Sequence, residues 1–241
     1  MIALLVAGIL GVLAGRDGDP AETALRAGAA RAPLAERLRE RGFAPGSAVH
    51  LRIYKAEHRM EVWLRRGDRY ALFDTYPICR WSGRLGPKLR EGDGQAPEGF
   101  YAVRRTALNP NSAYHLSFNL GFPNAHDRAL GRTGSFLMVH GACVSVGCYA
   151  MTDRGIEDLW ALMTAAYDAG QREVAVDALP FRMTPEMLDR RAGDSNLGFW
   201  RELAAVDARF AETGRPAAVW SCAGRYSVRG GPGCAPVRSG G

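Results

Sequence analysis

From Ala48 onward the chain alternates with a period of two, and this constrains its fold more than any other feature. The runs VHLRIYKA (49–56), RMEVWLRR (59–66) and RYALFDTYPI (69–78) alternate apolar and polar residues, with turn-like Glu57-His58 and Gly67-Asp68 between them. Such alternation lines one face of a strand with apolar side chains, and a Gly-Asp pair flanked by two such runs signals a hairpin. An antiparallel meander is expected here. FYAVRRTAL (100–108) adds a strand, NPNSAYHLSFNLGFPNAHDR (109–128) reads as loop, strand and loop, and SFLMVH (135–140) is an apolar strand ending on His140. Residues 82–99 (SGRLGPKLREGDGQAPEG) form a long Gly/Pro/charged loop, of a length that usually carries function inside a compact domain.

Past Cys148 the period becomes helical. Thr152-Asp153 can cap a helix with Ile156, Leu159, Trp160, Met163 and Ala166 on one face and Gly170 as its stop. REVAVDA (172–178) is one more strand, PFRMTPEML (180–188) starts a short helix, and 195–213 form a last amphipathic helix. Ahead of the strands, Asp19-Pro20 opens a helical lead-in that Pro33 splits and Gly42 stops. Strands first and helices later describe one α+β domain. The expected organisation is a signal peptide or short membrane anchor at 1–18, the helical lead-in at 19–45 and the main domain at 46–190. A C-terminal helix packed on that domain follows at 191–223, and a flexible Gly/Arg-rich tail at 224–241.

Residues 2–15, IALLVAGILGVLAG, are unbroken apolar and small, yet short of the roughly 20 residues of a membrane span. They fit a signal-peptide core without its basic leader better than a buried first helix, because no polar face interrupts them. A periplasmic location is therefore expected. The net charge of +6 suits nucleic acid, an anionic polymer or plain solubility. No aromatic residues interleave with the basic ones and no nucleic-acid motif appears, so nucleic acid is not expected as a partner.

Export makes the five cysteines informative, since structural cysteines pair in an oxidising compartment and an odd count leaves one thiol over. Cys222 and Cys234 are spaced for a local loop-closing bridge. Cys79 and Cys143 are the remaining pair if Cys148 is the free thiol.

The segment S-F-L-M-V-H-G-A-C-V-S-V-G-C-Y-A-M (135–151) carries the chemistry. A thiol attacks as thiolate and needs a neighbouring base or a positive environment. His140 ends a strand able to hold an imidazole, and Gly141 and Gly147 let the chain fold back towards it. Gly147 also lets backbone approach substrate, so that the Cys148 amide could serve as an oxyanion donor, while the helix near Thr152 could direct its positive end at the thiolate. Cys143, three residues after His140, would face the other side of an extended strand and is the weaker nucleophile. A zinc site from His140, Cys143, Cys148 and His115 is the metal alternative, although the step between the cysteines is wider than a usual knuckle. A buried disulfide or inert cysteine beside a satisfied histidine is the structural alternative.

The run HGACVSVGCYAMTD (140–153) resembles the active-site signature of YkuD-type L,D-transpeptidases, a histidine and glycine ahead of a Ser-x-Gly-Cys element. With GPKLREGDGQAPEGFY (86–101), NSAYHLSFNLGFPN (111–124) and GRTGSFLMVHG (131–141), the sequence is similar to the YafK/DpaA-like branch of that family. The resemblance runs from about residue 49 to 183. It implies a β-rich α+β catalytic domain with flanking helices that acts on peptidoglycan stem peptides. Cys148 would be the nucleophile, His140 the general base and Gly141 the source of the carbonyl that orients it. Ser145 and Gly147 would shape the site, and the Cys148 amide would face the oxyanion. The acyl-enzyme formed on diaminopimelate would be resolved by an amine, or by water as in hydrolytic release of a wall-linked lipoprotein. A wall-binding module without chemistry and a zinc-dependent hydrolase are the competing readings. No metal and no cofactor are expected. Many relatives carry histidine before the Gly-Cys pair and arginine or asparagine after it, whereas Val146 and Tyr149 stand here. Substrate-binding candidates are Arg132 in a Gly-Arg-Thr-Gly turn, Tyr114 and His115 ahead of a strand, and Lys88 in the long loop, the cations being suited to stem-peptide carboxylates.

Overall fold

A computed structural model describes residues 31–145 and 147–241. The expected signal segment and the first half of the lead-in lie outside the described residues. No described helix is long and apolar enough to cross a membrane.

The described lead-in is helix α1 (Leu34–Glu40). The period-two runs become strands β1 (Val49–Tyr54), β2 (Arg59–Arg66) and β3 (Arg69–Trp81), paired as the expected antiparallel meander. Then come β4 (Gly99–Val103), β5 (Leu108–Ser112), β6 (His115–Asn119), helix α2 (Ala125–Ala129), β7 (Met138–His140) and β8 (Tyr149–Met151). Helix α3 (Asp153–Asp168), strand β9 (Val174–Leu179), and helices α4 (Pro185–Asp189) and α5 (Leu197–Thr213) follow. The nine strands form one mixed sheet in the order β4-β9-β1-β2-β3-β8-β7-β6-β5, parallel at β1/β9 and β7/β8.

β1 is buried along its whole length, so its alternation does not separate core from water. Val49, Leu51 and Ile53 enter the main apolar core, while His50 and Arg52 are covered on the other face. Phe210 of α5 lies 5.0 Å from the His50 ring, and Arg52 bonds Asp207 of the same helix. A buried cation survives only when paired, and Arg52 has both Asp177 and Asp207.

The chain beyond residue 224, expected to be a loose tail, is built into structure. Strands β10 (Val219–Cys222), β11 (Arg225–Ser227) and β12 (Cys234–Arg238) form a second sheet, with Cys222 bridged to Cys234. Arg238, 5% exposed, pairs with Asp177 of β9. Composition suggested disorder, but a disulfide and a buried ion pair hold the segment.

The long loop 82–98 is anchored rather than free. The buried Lys55 ammonium donates to the carbonyls of Arg84 (2.9 Å) and Ala96 (3.0 Å) and pairs with Glu98 (3.0 Å). Gln95 accepts from the Arg84 amide (3.0 Å) and donates to the Gly86 carbonyl (2.8 Å). These bonds fix the loop that carries Lys88.

Candidate active site

Adjacent parallel strands normally need a crossover of a dozen or more residues, yet residues 141–148 alone join β7 to β8. So short a return forces left-handed backbone at Ala142 (φ 63°), Cys143 (φ 49°) and Gly147 (φ 89°). Two consecutive non-glycine residues there cost on the order of 1–3 kcal/mol each and need support from their surroundings. The Cys79–Cys143 disulfide ties the turn to β3, and the Cys143 N–H donates to the Met151 carbonyl at 3.2 Å. Cys148 is the one free cysteine, as the odd count implied. With Cys143 in a disulfide, neither the rival nucleophile nor the four-ligand zinc site is available. No metal-holding cluster occurs among the described residues.

β8 was not anticipated: three residues are too few to show a period. It sets the geometry. His140 pairs with Ala150 across the parallel ladder, and Cys148, two residues before Ala150, comes diagonal to His140 on that register. β7 is also shorter than the apolar run suggested, because Phe136 adopts φ 54°.

His140 is 4% exposed, and its Nδ1–H donates to the Gly141 carbonyl at 2.7 Å. That bond selects one tautomer and leaves Nε2 with its lone pair. Tyr114 lays its ring 4.8 Å from the imidazole. Burial pushes the His140 imidazole below its ordinary value against the pull of the Gly141 carbonyl. The Cys148 thiol sits against β7, accepting from the Met138 N–H at 3.4 Å and approaching the Phe136 carbonyl at 3.6 Å. Burial pushes this thiol up, while the Met138 N–H and the Lys88 charge pull it down. Thiol and imidazole therefore both rest neutral near pH 7.

Ser145 fastens the cysteine turn: its hydroxyl accepts from the Cys148 N–H (3.0 Å), donates to the Cys148 carbonyl (2.7 Å) and meets the Ser82 hydroxyl at 3.0 Å. The Cys148 amide, expected as an oxyanion donor, is thus engaged with Ser145 in this geometry. Glycine is needed at 147 for its positive φ; a Cβ there would meet only Leu137, at 3.8 Å. The helix expected to direct its positive end at the thiolate begins only after β8. Its cap is Thr152, which accepts from the Gly155 N–H at 3.0 Å.

Lys88 is buried and holds Asp93 at 2.5 Å, so it reaches the thiol as a nearby charge rather than as an open carboxylate receptor. Arg132 is 8% exposed, pairs with Asp127 at 2.9 Å and lies over the Phe199 ring. Its guanidinium is engaged inside the fold, because the Gly-Arg-Thr-Gly turn directs it inward. His115 is half exposed and bonds Glu157 of α3 at 2.9 Å; of the 114–115 pair, Tyr114 is the one against the imidazole. Tyr149, after Cys148, is fully buried and donates to the Pro97 carbonyl at 2.7 Å.

Two further residues belong to the site. Ser82, just after β3, supports Ser145. Asp153, read as part of a helix start, accepts from the Ala142 N–H at 2.7 Å. A lone hydroxyl and a carboxylate in a capping position carry no sequence signal beyond their local role.

A family model for the L,D-transpeptidase catalytic domain, YkuD, matches residues 48–178. YafK of Escherichia coli K12, named as a candidate L,D-transpeptidase, is 45% identical over 183 residues, 76% of this chain and 74% of that protein. Its counterpart in Escherichia coli O157:H7 matches equally. Among solved structures, the helical cell shape determining protein Pgp2 of Campylobacter jejuni gives a TM-score of 0.44 at 22% identity. That match covers 62% of this chain and 56% of Pgp2, a little over half its length. Bd1075 of Bdellovibrio bacteriovorus gives 0.42 at 17% identity, covering 70% and 61%. By the extent of the family match and the identity to YafK, the chain belongs to the YkuD L,D-transpeptidase catalytic-domain family.

Proposed function

We propose that the protein is a peptidoglycan-modifying cysteine enzyme in which Cys148 attacks a diaminopimelate-centred peptide bond. The observation that carries this reading is the tautomer lock of His140, Nδ1–H to Gly141 carbonyl at 2.7 Å, on the strand register that brings the free Cys148 diagonal to it. Because both groups rest neutral, the nucleophile forms during attack. The thiol proton passes to Nε2 as the sulfur–carbon bond forms, and the imidazolium then protonates the departing amine of D-alanine. His140, neutral again, deprotonates the amine that attacks the thioester; the carbon–sulfur bond breaks, the imidazolium returns the proton to the Cys148 sulfur, and the cross-link is complete.

Hydrolysis by water, releasing a wall-linked lipoprotein from diaminopimelate, is the second reading, and a specific observation favours it. Tyr149 stands where many relatives carry arginine or asparagine, and its hydroxyl is directed to Pro97 inside the core. That position offers no polar group to an acceptor. The two disulfides support an oxidising, periplasmic site of action.

Purified sacculi and defined muropeptides incubated with the protein, then mass-mapped, test both readings. Cross-linked or amine-exchanged products support transfer, and free diaminopimelate carboxyl ends support hydrolysis. A carbapenem-type acylator is expected to add one adduct, at Cys148. Unchanged processing by Cys148→Ala would overturn the nucleophile assignment, and a wall-binding module is what remains if neither product nor adduct forms.

A further inference from the structure

His140 and Asp153 bond to opposite edges of one peptide unit. The imidazole Nδ1–H donates to the Gly141 carbonyl at 2.7 Å, and the N–H of that same Gly141–Ala142 peptide donates to Asp153 Oδ1 at 2.7 Å. The carboxylate is not needed to cap α3, since Thr152 does that. Nor is the approach incidental: a Cβ on Gly141 would sit 2.5 Å from Asp153 Oδ1 and 3.1 Å from the Tyr114 carbonyl. The Gly141 N–H is held in turn by the carbonyls of Tyr114 (3.1 Å) and Leu116 (3.2 Å), and the Cys143 N–H by Met151. The peptide units on either side of the one between imidazole and acid are thereby held as well.

Hydrogen bonds in series polarise one another. A carboxylate on the N–H side of a peptide makes its carbonyl a stronger acceptor, and that carbonyl faces the imidazole N–H. We propose that Asp153 is a positioning residue acting through the Gly141–Ala142 peptide, the remote acid of a Cys–His–Asp arrangement with one peptide unit inserted. It holds the His140 tautomer and stabilises the imidazolium formed when Cys148 gives up its proton, as a direct carboxylate does in hydrolase triads. This rests on the reading of Cys148 and His140 as nucleophile and base.

Other charged or titratable groups lie near the pair, and Arg80 of β3 stands opposite Ala150 in the ladder. Tyr114 lies over His140, and Lys88 acts on Cys148 from the 82–98 loop. Beside Asp153 on α3, Arg154 is directed to Asp158 at 3.8 Å and Glu157 to His115.

The test compares Asp153→Asn with Thr152→Ala, which damages the start of the same helix without touching the Ala142 N–H. Asp153→Asn is expected to lower kcat about tenfold at nearly unchanged KM. It should also move the acidic limb of the kcat/KM profile to lower pH, because the imidazolium loses support. Thr152→Ala is expected to lower Tm and leave that limb in place. A limb and kcat unchanged in Asp153→Asn, or moved equally in Thr152→Ala, would overturn the proposal. Should Asp153→Asn not fold, the wild-type protein still decides: the Ala142 amide proton shift should titrate together with the His140 nitrogens, and independence of the two would overturn it. Cys148→Ala run alongside separates the failures: if it keeps activity the nucleophile reading fails, and if it is inactive while Asp153→Asn is normal, only the role of Asp153 fails.

Discussion

Two buried histidines on one sheet, His50 on β1 and His140 on β7, each hold a ring nitrogen against a backbone carbonyl, Ala175 at 3.1 Å and Gly141 at 2.7 Å. Around His50 the carboxylate is in direct contact. Its Nε2 lies 3.2 Å from Asp177, which also meets Arg52 and Arg238, so both ring nitrogens face fixed groups. Burial works to raise the Asp177 carboxyl, but Arg238, His50 and Arg52 together hold it far below the usual range. Around His140 the carboxylate of Asp153 stands one peptide away, behind the Gly141 carbonyl. A carboxylate in direct contact with arginines closes a region and stabilises it. A carboxylate behind a peptide steadies an imidazole while leaving its working edge open.

The comparison is most sharply tested by removing the chemistry. Cys148→Ala or His140→Ala should lower kcat/KM by about 10³-fold or more with the fold retained. Asp177→Ala strands buried Arg238 and leaves Arg52 with Asp207 alone, and should cost about 3–5 kcal/mol in denaturant unfolding, with the activity of folded molecules unchanged. The pH dependence has a definite sign. A depressed carboxyl contributes stability that is present above its unfolded value and lost as pH falls through its folded one, so the variant lacks that acid-sensitive portion. Loss of turnover in folded Asp177→Ala would break the distinction between the two regions.

Gly141→Ala comes next, since the new methyl meets Asp153 and Tyr114. It should lower kcat/KM about 10²-fold by displacing the carbonyl that orients His140. Alkylation gives a finer reading. With the thiol pushed up and the imidazole pushed down, iodoacetamide modification of Cys148 should climb through pH 9 without a plateau near neutrality. Lys88→Met removes a cation that lowers the thiol and should slow modification a few-fold at fixed pH. An early plateau would mean a preformed ion pair. Smallest is Ser82→Ala, which removes one hydrogen bond worth about 1 kcal/mol from Ser145 and should slow alkylation only slightly.

The meander and the late helices were legible because each is long enough to display its period. The His-Gly and Gly-Cys elements were legible because glycine at a chain reversal is a local requirement. β8 was hidden by its length, and the short β7 by one left-handed residue at Phe136. The polar positions of β1, His50 and Arg52, are buried under α5, a cover that alternation cannot distinguish from water. Arg132 read as a receptor, although Asp127 five residues earlier takes its guanidinium. The tail read as loose because composition does not show the buried partner of Arg238.

By itself the sequence determined the strand-rich core, the unpaired cysteine and the histidine ahead of it, since period, count and spacing are properties of the chain alone. Only the tertiary structure decided which groups surround that pair. The Ser82–Ser145 bond, the Lys88 charge and the Asp153 carboxylate behind the Gly141 peptide come from separate segments. Contacts between distant segments leave no period or spacing to read, because folding alone brings them within hydrogen-bonding or Coulombic reach of the site.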